Sequence, residues 1–302
     1  MSEAIENYRP QGRKHDWHLD RDFVISAVKD VDPIVVYEAR TLIGNITPLV
    51  HWCRAVAGLP QTREIVFAQQ TIEEYIATGC PQLNSGSKAN RRTQLNKVSQ
   101  ALFGSDTWQH ARQQPLKPSQ APAPYSAAEQ IAFRSWAAAQ ATAAKRLNAG
   151  ILLGLGFGCG LSSEDINQVL VDDITIDECG VHVQVNGRRA RTVTCLAGWE
   201  SYLRDAADIV PPGRLLFRHQ RPGFRKGSNY YSHFIERECS GDLWLNSQRA
   251  RVTWLVHHMS HTTALNTLLT AAGIADTKAL GRYLGFVPVP DPTEAARQLR
   301  NA

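Results

Sequence analysis

The sequence predicts a mainly α-helical protein with one small antiparallel β-sheet, divided into two domains. Three observations carry this prediction. Apolar residues recur at helical spacing through most of the chain, whereas strict alternation occurs in one stretch, residues 173–196. Four prolines fall within residues 113–124, and proline at that density favours an extended linker over a helix. At 302 residues, the chain is long enough for a core on each side of that linker.

The part before the linker is predicted to be helical. Residues 1–20 are polar and are expected to form a flexible tail, and residues 21–112 the first domain. Its helices are predicted over 35–56, 65–77 and 87–103, and Pro48 should kink or divide the first of them. The third helix combines apolar residues with four basic ones, which predicts one core face and one exposed basic face. The basic residues are Lys88, Arg91, Arg92 and Lys97.

The part after the linker, residues 125–302, is predicted as an α+β domain. Ser126 and Glu129 form a capping box, which predicts a helix that runs to about Leu147. Three short alternating runs follow, over residues 174–176, 181–185 and 191–195. Turn signals separate them, so we expect a three-stranded antiparallel sheet with arginines at one hairpin tip. Helices are predicted from about Trp199 onward.

Positive charge is concentrated in three clusters on a chain of net charge +5. One lies on the basic helix and in the linker, and the second holds Arg188, Arg189 and Arg191. The third spans residues 214–226 without an acidic residue and includes Arg218, Arg225 and Lys226. One cluster alone could be a solvated face. Three clusters in both halves of the chain favour a polyanionic partner.

Two further patterns resemble ligand motifs, and each has a structural alternative. The alternating glycines of residues 154–160 follow a helix instead of a strand, which favours close packing over a nucleotide-binding loop. His257, His258 and His261 have helical metal-ligand spacing but lack the glutamate of a zinc protease motif, so structural or DNA-facing roles are preferred. We therefore expect no cofactor and no metal. The six scattered cysteines indicate reduced thiols in a cytoplasm.

The C-terminal part resembles the tyrosine recombinases (phage integrases). The segment from Arg251 to Leu265 is similar to that family's His-x-x-Arg helix, with Arg251 on the arginine. Residues 272–274 fall on its Leu-Gly-His/Trp motif, and Tyr283 then falls on the nucleophilic tyrosine. Upstream, residues 160–166 resemble Gly-Leu-Arg-x-x-Glu, and the predicted hairpin and the helical first domain also match. The resemblance covers nearly the whole chain and implies a core-binding domain followed by a catalytic-like domain.

The resemblance implies a mechanism in which a tyrosine attacks a DNA phosphodiester while two arginines stabilise the charge that develops on its oxygens. Arg251 and Tyr283 match that scheme as candidate catalytic residues. Four other catalytic positions depart from it. Ser162 stands at the first arginine, Asn186 at the hairpin lysine, Gln248 at the box histidine and Ile274 at the later histidine or tryptophan.

These departures leave three functions open. The preferred interpretation is a catalytically impaired DNA-binding protein that clamps duplex DNA in the cytoplasm, on the nucleoid, in the service of a mobile element. The alternative is an active site-specific recombinase, and the third is a protein-interaction module that no longer binds DNA. Self-association on DNA is a further expectation, although three prolines among the nineteen residues after Tyr283 argue against exchange of a long terminal helix. No membrane segment is expected.

Overall fold

The computed structural model describes residues 17–104, 121–187, 189–220, 230–261 and 263–300. The chain divides into two compact units, Met1–Ser119 and Gln120–Ala302. Of the predicted linker, residues 113–120 lie outside the described residues, and residues 121–124 belong to no helix or strand. Among the described residues, no helix is both long enough and apolar enough to cross a membrane.

The first unit is built from helices, as predicted. In chain order they are α1 (Trp17–Val31), α2 (Ala39–Ala55), α3 (Arg63–Val66), α4 (Gln69–Glu74) and α5 (Ser85–Phe103), and a π-helical turn, Tyr75–Gly79, continues α4. Helix α5 begins at a side-chain cap, because the Asn84 carbonyl oxygen accepts a hydrogen bond from the Ser87 amide at 2.8 Å. The unit's core lies between α1, α2, α4 and α5.

Three predicted boundaries in the first unit are corrected. The tail does not include residues 17–20, because Asp20 lies within α1, is 1% exposed and accepts a hydrogen bond from Arg54 Nε at 2.7 Å. Helix α2 starts at Ala39 and is not divided at Pro48. The helix predicted over 65–77 is interrupted at Phe67, whose carbonyl accepts a hydrogen bond from the Ser99 hydroxyl at 2.7 Å. Such contacts between elements override local periodicity.

The second unit combines eight helices with one sheet in its described residues. The helices are α6 (Ala127–Ala138), α7 (Ala143–Leu153), α8 (Ser163–Ile166), α9 (Glu200–Ile209), α10 (Tyr230–Glu238), α11 (Ser247–Met259), α12 (Leu265–Ala272) and α13 (Pro292–Arg300). A π-helical turn, Gly154–Gly158, continues α7, and 3₁₀ turns occur at Val171–Asp173, Ala197–Trp199, Thr277–Ala279 and Gly281–Phe286.

The start of the second unit shows one correct and one wrong prediction. The capping box of Ser126 and Glu129 is present and opens α6. The helix does not continue to Leu147 as predicted, because α6 ends at Ala138 and α7 starts anew. Thr142 caps that second start, since its hydroxyl oxygen accepts a hydrogen bond from the Lys145 amide at 3.2 Å.

The sheet confirms the predicted fold class. Strands β1 (Ile174–Asp177), β2 (Gly180–Val185) and β3 (Arg191–Thr194) pair antiparallel in the order β1-β2-β3. Val183 lies opposite Ile174 on one side and Val193 on the other. Because Val183 and Val193 lie directly opposite each other, their side chains share one face of the sheet. Both side chains are buried in the core.

Close packing accounts for the alternating glycines. The π-helical turn continues a helix, and a Cβ on Gly158 would lie 2.5 Å from Cys195 Sγ. Gly160 has a φ of +59°, and a Cβ there would lie 2.5 Å from the ring of Trp254. The packing interpretation is therefore confirmed. The turn also brings the Gly160 carbonyl next to α11, which carries Arg251.

Candidate nucleic-acid interface

Arg251, Arg191, Asp165 and the carbonyl groups of Gly160 and Ala272 lie together and form the Arg251 cluster. Helix α11 is capped by Asn246, whose side chain accepts hydrogen bonds from the amides of the first turn. One turn later, the Arg251 Nη1 donates to the Gly160 carbonyl at 2.6 Å, and its Nη2 donates to the Ala272 carbonyl. Burial lowers the pKa of Arg251, and the positive charge of Arg191 lowers it further. The residue as a whole is nonetheless only partly buried.

Arg191, the first residue of β3, lies beside Arg251 and not at the hairpin tip. Its side chain is 3% exposed and pairs with Asp165, with Nη2 3.0 Å from Oδ2. Its Nε donates to the Ala271 carbonyl and its Nη1 to the Arg189 carbonyl, both at 2.9 Å. Arg191 and Arg251 therefore donate to the consecutive carbonyls of Ala271 and Ala272 at the end of α12. The prediction that Arg191 is exposed to DNA is corrected, because these three oxygens satisfy it inside the fold.

Ser162 has a local structural role at the position of the family's first arginine. It caps α8, since its hydroxyl accepts a hydrogen bond from the Asp165 amide at 3.2 Å. In return, the Asp165 carboxylate accepts from the Ser162 amide at 3.4 Å. Asp165 was not singled out from the sequence, although the Ser-x-x-Asp spacing is the signal of this capping box. The carboxylate thus links the cap of α8 to Arg191.

The other substituted positions do not supply a charged group to the cluster. Asn186 donates from its amide nitrogen to Asp173 Oδ1 at 2.8 Å, within the second unit's own loops. Gln248 is exposed in the first turn of α11, and Ile274 packs against the core. These three side chains are neutral at the positions where recombinases carry proton-transfer groups.

Tyr283 lies near Arg251 on the turn Gly281–Phe286, which packs against α11. Its side chain belongs to the core, with 9% of the residue exposed. The two groups are close enough for the Tyr283 hydroxyl to influence the pKa of Arg251. The guanidinium carbon of Arg282 lies 5.4 Å from the centre of the tyrosine ring. The structure thus brings together both residues that the resemblance named as catalytic.

The basic face predicted for α5 is smaller than expected. Arg92 is buried and its Nη2 lies 3.0 Å from Glu73 Oε2, so its exposure to DNA is corrected. Arg91 is partly buried and donates from Nη1 to the Tyr75 hydroxyl at 3.0 Å. Lys97 is exposed, with its ammonium 5.4 Å from the centre of the Tyr37 ring, and Lys88 is partly exposed. Of the four predicted cations, Lys97 is therefore exposed, and Lys88 and Arg91 are partly exposed.

The remaining predicted DNA contacts have separate locations. Arg189 is exposed in the hairpin loop. Arg188, Arg225 and Lys226 lie outside the described residues. Arg218 is not part of the Arg251 cluster: it lines a different cavity of the second unit, beside Lys145.

The three histidines at the end of α11 lie together, with His257 stacked on His261 and His258 edge-on to His257. The rings of His257 and His261 lie 4.2 Å apart and the rings of His257 and His258 5.5 Å apart. Burial, with the two neighbouring histidines, lowers the pKa of His258 to about 4. In the ranges that the structure covers, no three histidine, cysteine or acidic side chains come together as a metal site. The stacked pair and the neutral His258 fit the structural role, which is one of the two roles preferred from the sequence.

Comparisons with known proteins identify the fold. No family model matches the sequence, and no curated protein matches it. Solved structures match this chain over almost their whole length. The XerH site-specific recombinase bound to its palindromic difH substrate superimposes with a TM-score of 0.60 at 14% identity, covering 100% of this chain and 94% of that one.

Two integrase structures give similar values. The Tn1549 transposon integrase in complex with a circular intermediate DNA has a TM-score of 0.58 at 10% identity, covering 93% of this chain and 99% of that one. A λ integrase dimer bound to a core site has a TM-score of 0.57 at 14% identity, covering 87% and 94%. The chain therefore has the tyrosine-recombinase fold, as the sequence motifs predicted.

Proposed function

We propose that this protein binds duplex DNA through a tyrosine-recombinase fold and does not cleave it. The observation that carries the proposal is the arginine cluster. Where a recombinase presents its first arginine, Ser162 caps a helix, and the neighbouring guanidinium of Arg191 is bonded to three protein oxygens. Arg251 alone of these three side chains combines a positive charge with partial exposure.

Cleavage requires more from this site than binding does. A transition state with charge on its non-bridging oxygens depends on each preorganised donor, and loss of one costs about 10² to 10³ in rate. The chain has neutral residues at the four positions Ser162, Asn186, Gln248 and Ile274, so such losses would combine. Binding requires only cations near the phosphate backbone, because released counterions drive association. The same substitutions are therefore compatible with DNA binding.

The proposed contacts lie on both units. Arg251 and Arg189 on the second unit, and Lys88, Arg91 and Lys97 on the first, are residues with at least partial exposure. Arg188, Arg225 and Lys226 are proposed as further contacts from their charge alone. DNA complexes of the recombinases with the same fold support this assignment. We place the protein on the nucleoid of the cytoplasm, acting for a mobile element and self-associating on DNA.

A second candidate function rests on the proximity of Tyr283 to Arg251. That pair would make the protein an active recombinase if Arg191 supplied the second positive charge to the phosphate. Burial is the main cause of the lowered pKa of Arg251, and the neighbouring positive charge of Arg191 lowers it further. Its hydrogen bonds to Ala271, Arg189 and Asp165 would have to be exchanged for phosphate oxygens, which makes this candidate the weaker one.

Duplex binding as a function of salt tests the proposal. We expect affinity to fall steeply with salt, with a slope of about −0.9 per phosphate contact. Lys97→Gln should reduce the slope by about 1, whereas Arg297→Gln, which removes an exposed arginine already paired with Glu294, should leave it unchanged. Fluorescence anisotropy with a labelled random duplex measures both. Affinity that is weak and insensitive to salt would rule out the proposed function.

A further inference from the structure

A basic cavity of about 450 Å³ lies on the second unit, apart from the Arg251 cluster. It opens between the start of α7, the segment around residue 218 and helix α10. Its polar lining combines cations, a histidine, a hydroxyl and one carboxylate. These residues are Thr142, Lys145, Arg218, His233, Arg237 and Glu238. Among them, only Arg218 belongs to one of the three basic clusters of the sequence.

The wall of this cavity contains the strained backbone of Arg218. Its φ of +59° makes it the one non-glycine residue with positive φ in the described ranges. A side chain in that conformation costs roughly 1 kcal/mol, and such strain is concentrated at functional sites. Asn148, 8% exposed, fixes it, since its carbonyl oxygen accepts from the Arg218 amide at 2.6 Å. The Asn148 amide in turn donates to the Ala144 carbonyl at 2.6 Å.

The charges of the cavity favour an anion. Lys145 Nζ pairs with Glu238 Oε2 at 2.9 Å, which accounts for the one carboxylate in the lining. Arg218 and Arg237 add two further positive charges, so Lys145, Arg218, Arg237 and Glu238 together carry a net charge of +2. Guanidinium groups bind phosphate oxygens in pairs of parallel hydrogen bonds. The first turn of α7, capped by Thr142, adds the positive end of its dipole.

The cavity is too far from Arg251 to share a phosphate with it. Helix α7 and its π-helical turn lead from Lys145 to Gly158, close to the Gly160 carbonyl that Arg251 binds. Thirteen residues at about 1.5 Å each separate these ends by roughly 20 Å. That distance corresponds to about six base pairs along a duplex, at about 3.4 Å per pair.

We infer that this cavity is a second phosphate-binding site. Two sources can supply the group: a backbone phosphate of the same duplex, which rests on the proposed function, or a free phosphate ester such as a nucleotide. In either case Arg218 and Arg237 bind the phosphate oxygens, with Lys145 contributing through its charge.

Titration with inorganic phosphate tests the site without DNA. Calorimetry, with chloride at matched ionic strength as reference, should show saturable binding to the wild-type protein. The double variant Arg218→Gln/Arg237→Gln should weaken it at least about tenfold, the loss expected from removing charge-assisted hydrogen bonds. Arg297→Gln should bind as the wild type does. Thermal unfolding of each variant checks that the fold is retained.

A series of duplexes of decreasing length identifies the source of the phosphate. If the duplex supplies it, the double variant should lose affinity for long duplexes but match the wild type on duplexes too short to span both sites, whereas Arg251→Gln should lose affinity on both. If the double variant loses phosphate binding but its affinity relative to the wild type does not depend on duplex length, the result would support a free phosphate ester as occupant. Wild-type protein that binds phosphate but no duplex would refute the proposed function and retain the site. No saturable phosphate binding and no length effect would overturn the inference.

Discussion

Replacing Arg191 with methionine should destabilise the second unit strongly. Arg191 is 3% exposed in its side chain, pairs with Asp165 at 3.0 Å and donates to two carbonyls at 2.9 Å. Breaking a buried ion pair by removing one partner costs about 3 to 5 kcal/mol, since the other charge stays without its partner. Asp165 is 20% exposed in its side chain and keeps the Ser162 amide, so we expect the lower value, about 3 kcal/mol.

Chemical denaturation measures this loss. Tryptophan fluorescence reports on the second unit through Trp136, Trp199, Trp244 and Trp254. The matched control is Arg189→Met, two residues away and exposed, which should change the free energy of unfolding by no more than about 0.5 kcal/mol. A loss below about 1 kcal/mol for Arg191→Met would refute the assignment of Arg191 as an internal link between β3, α8 and α12.

Three further outcomes follow from burial. Because the pKa of His258 is about 4 instead of 6.5, the unfolded chain binds a proton that the folded chain excludes between these values. A shift of that size corresponds to roughly 3 kcal/mol for a fully buried group. Because His258 is partly exposed, stability should fall by roughly 2 kcal/mol as the pH drops through that window, and His258→Asn should remove this dependence in denaturation curves. Of the six thiols only that of Cys179 is exposed, and burial raises the pKa of Cys53 to about 12, so a thiol reagent should label one site rapidly and none in Cys179→Ser. Arg92→Gln should cost about 3 kcal/mol of stability, whereas Lys97→Gln should leave stability within about 0.5 kcal/mol and weaken DNA binding; the reverse pattern would contradict the assignment of Arg92 to the core.

Local signals in the sequence account for the features that were predicted correctly. The capping box of Ser126 needs only residues within one turn, and the sheet follows from alternation and turn residues within residues 173–196. The recombinase fold followed from the order of several short motifs, of which Arg251 and Tyr283 do lie close together. The cap at Thr142 was missed because the residue three positions later is Lys145 and not the glutamate or glutamine of a capping box.

Burial of charge could not be predicted in the same way. Arg92 and Arg191 look like solvent-facing cations in sequence, because their partners Glu73 and Asp165 are distant along the chain. An ion pair of this kind depends on how helices and strands pack, which periodicity does not reveal. For the same reason the sequence showed Arg218 as part of a basic run but not the cavity that it shares with Lys145.

Trapping of a covalent complex distinguishes a protein that binds duplex DNA without cutting it from an active recombinase. DNA fragments that the protein enriches from genomic DNA would be synthesised as duplexes that carry a nick. On such a duplex, a tyrosine recombinase remains covalently attached to the DNA after cleavage. We expect wild type and Tyr283→Phe to bind these duplexes with equal affinity, and neither to form a complex that survives denaturing electrophoresis. A denaturant-resistant, protease-sensitive complex with the wild-type protein, absent with Tyr283→Phe, would contradict the account and establish an active recombinase.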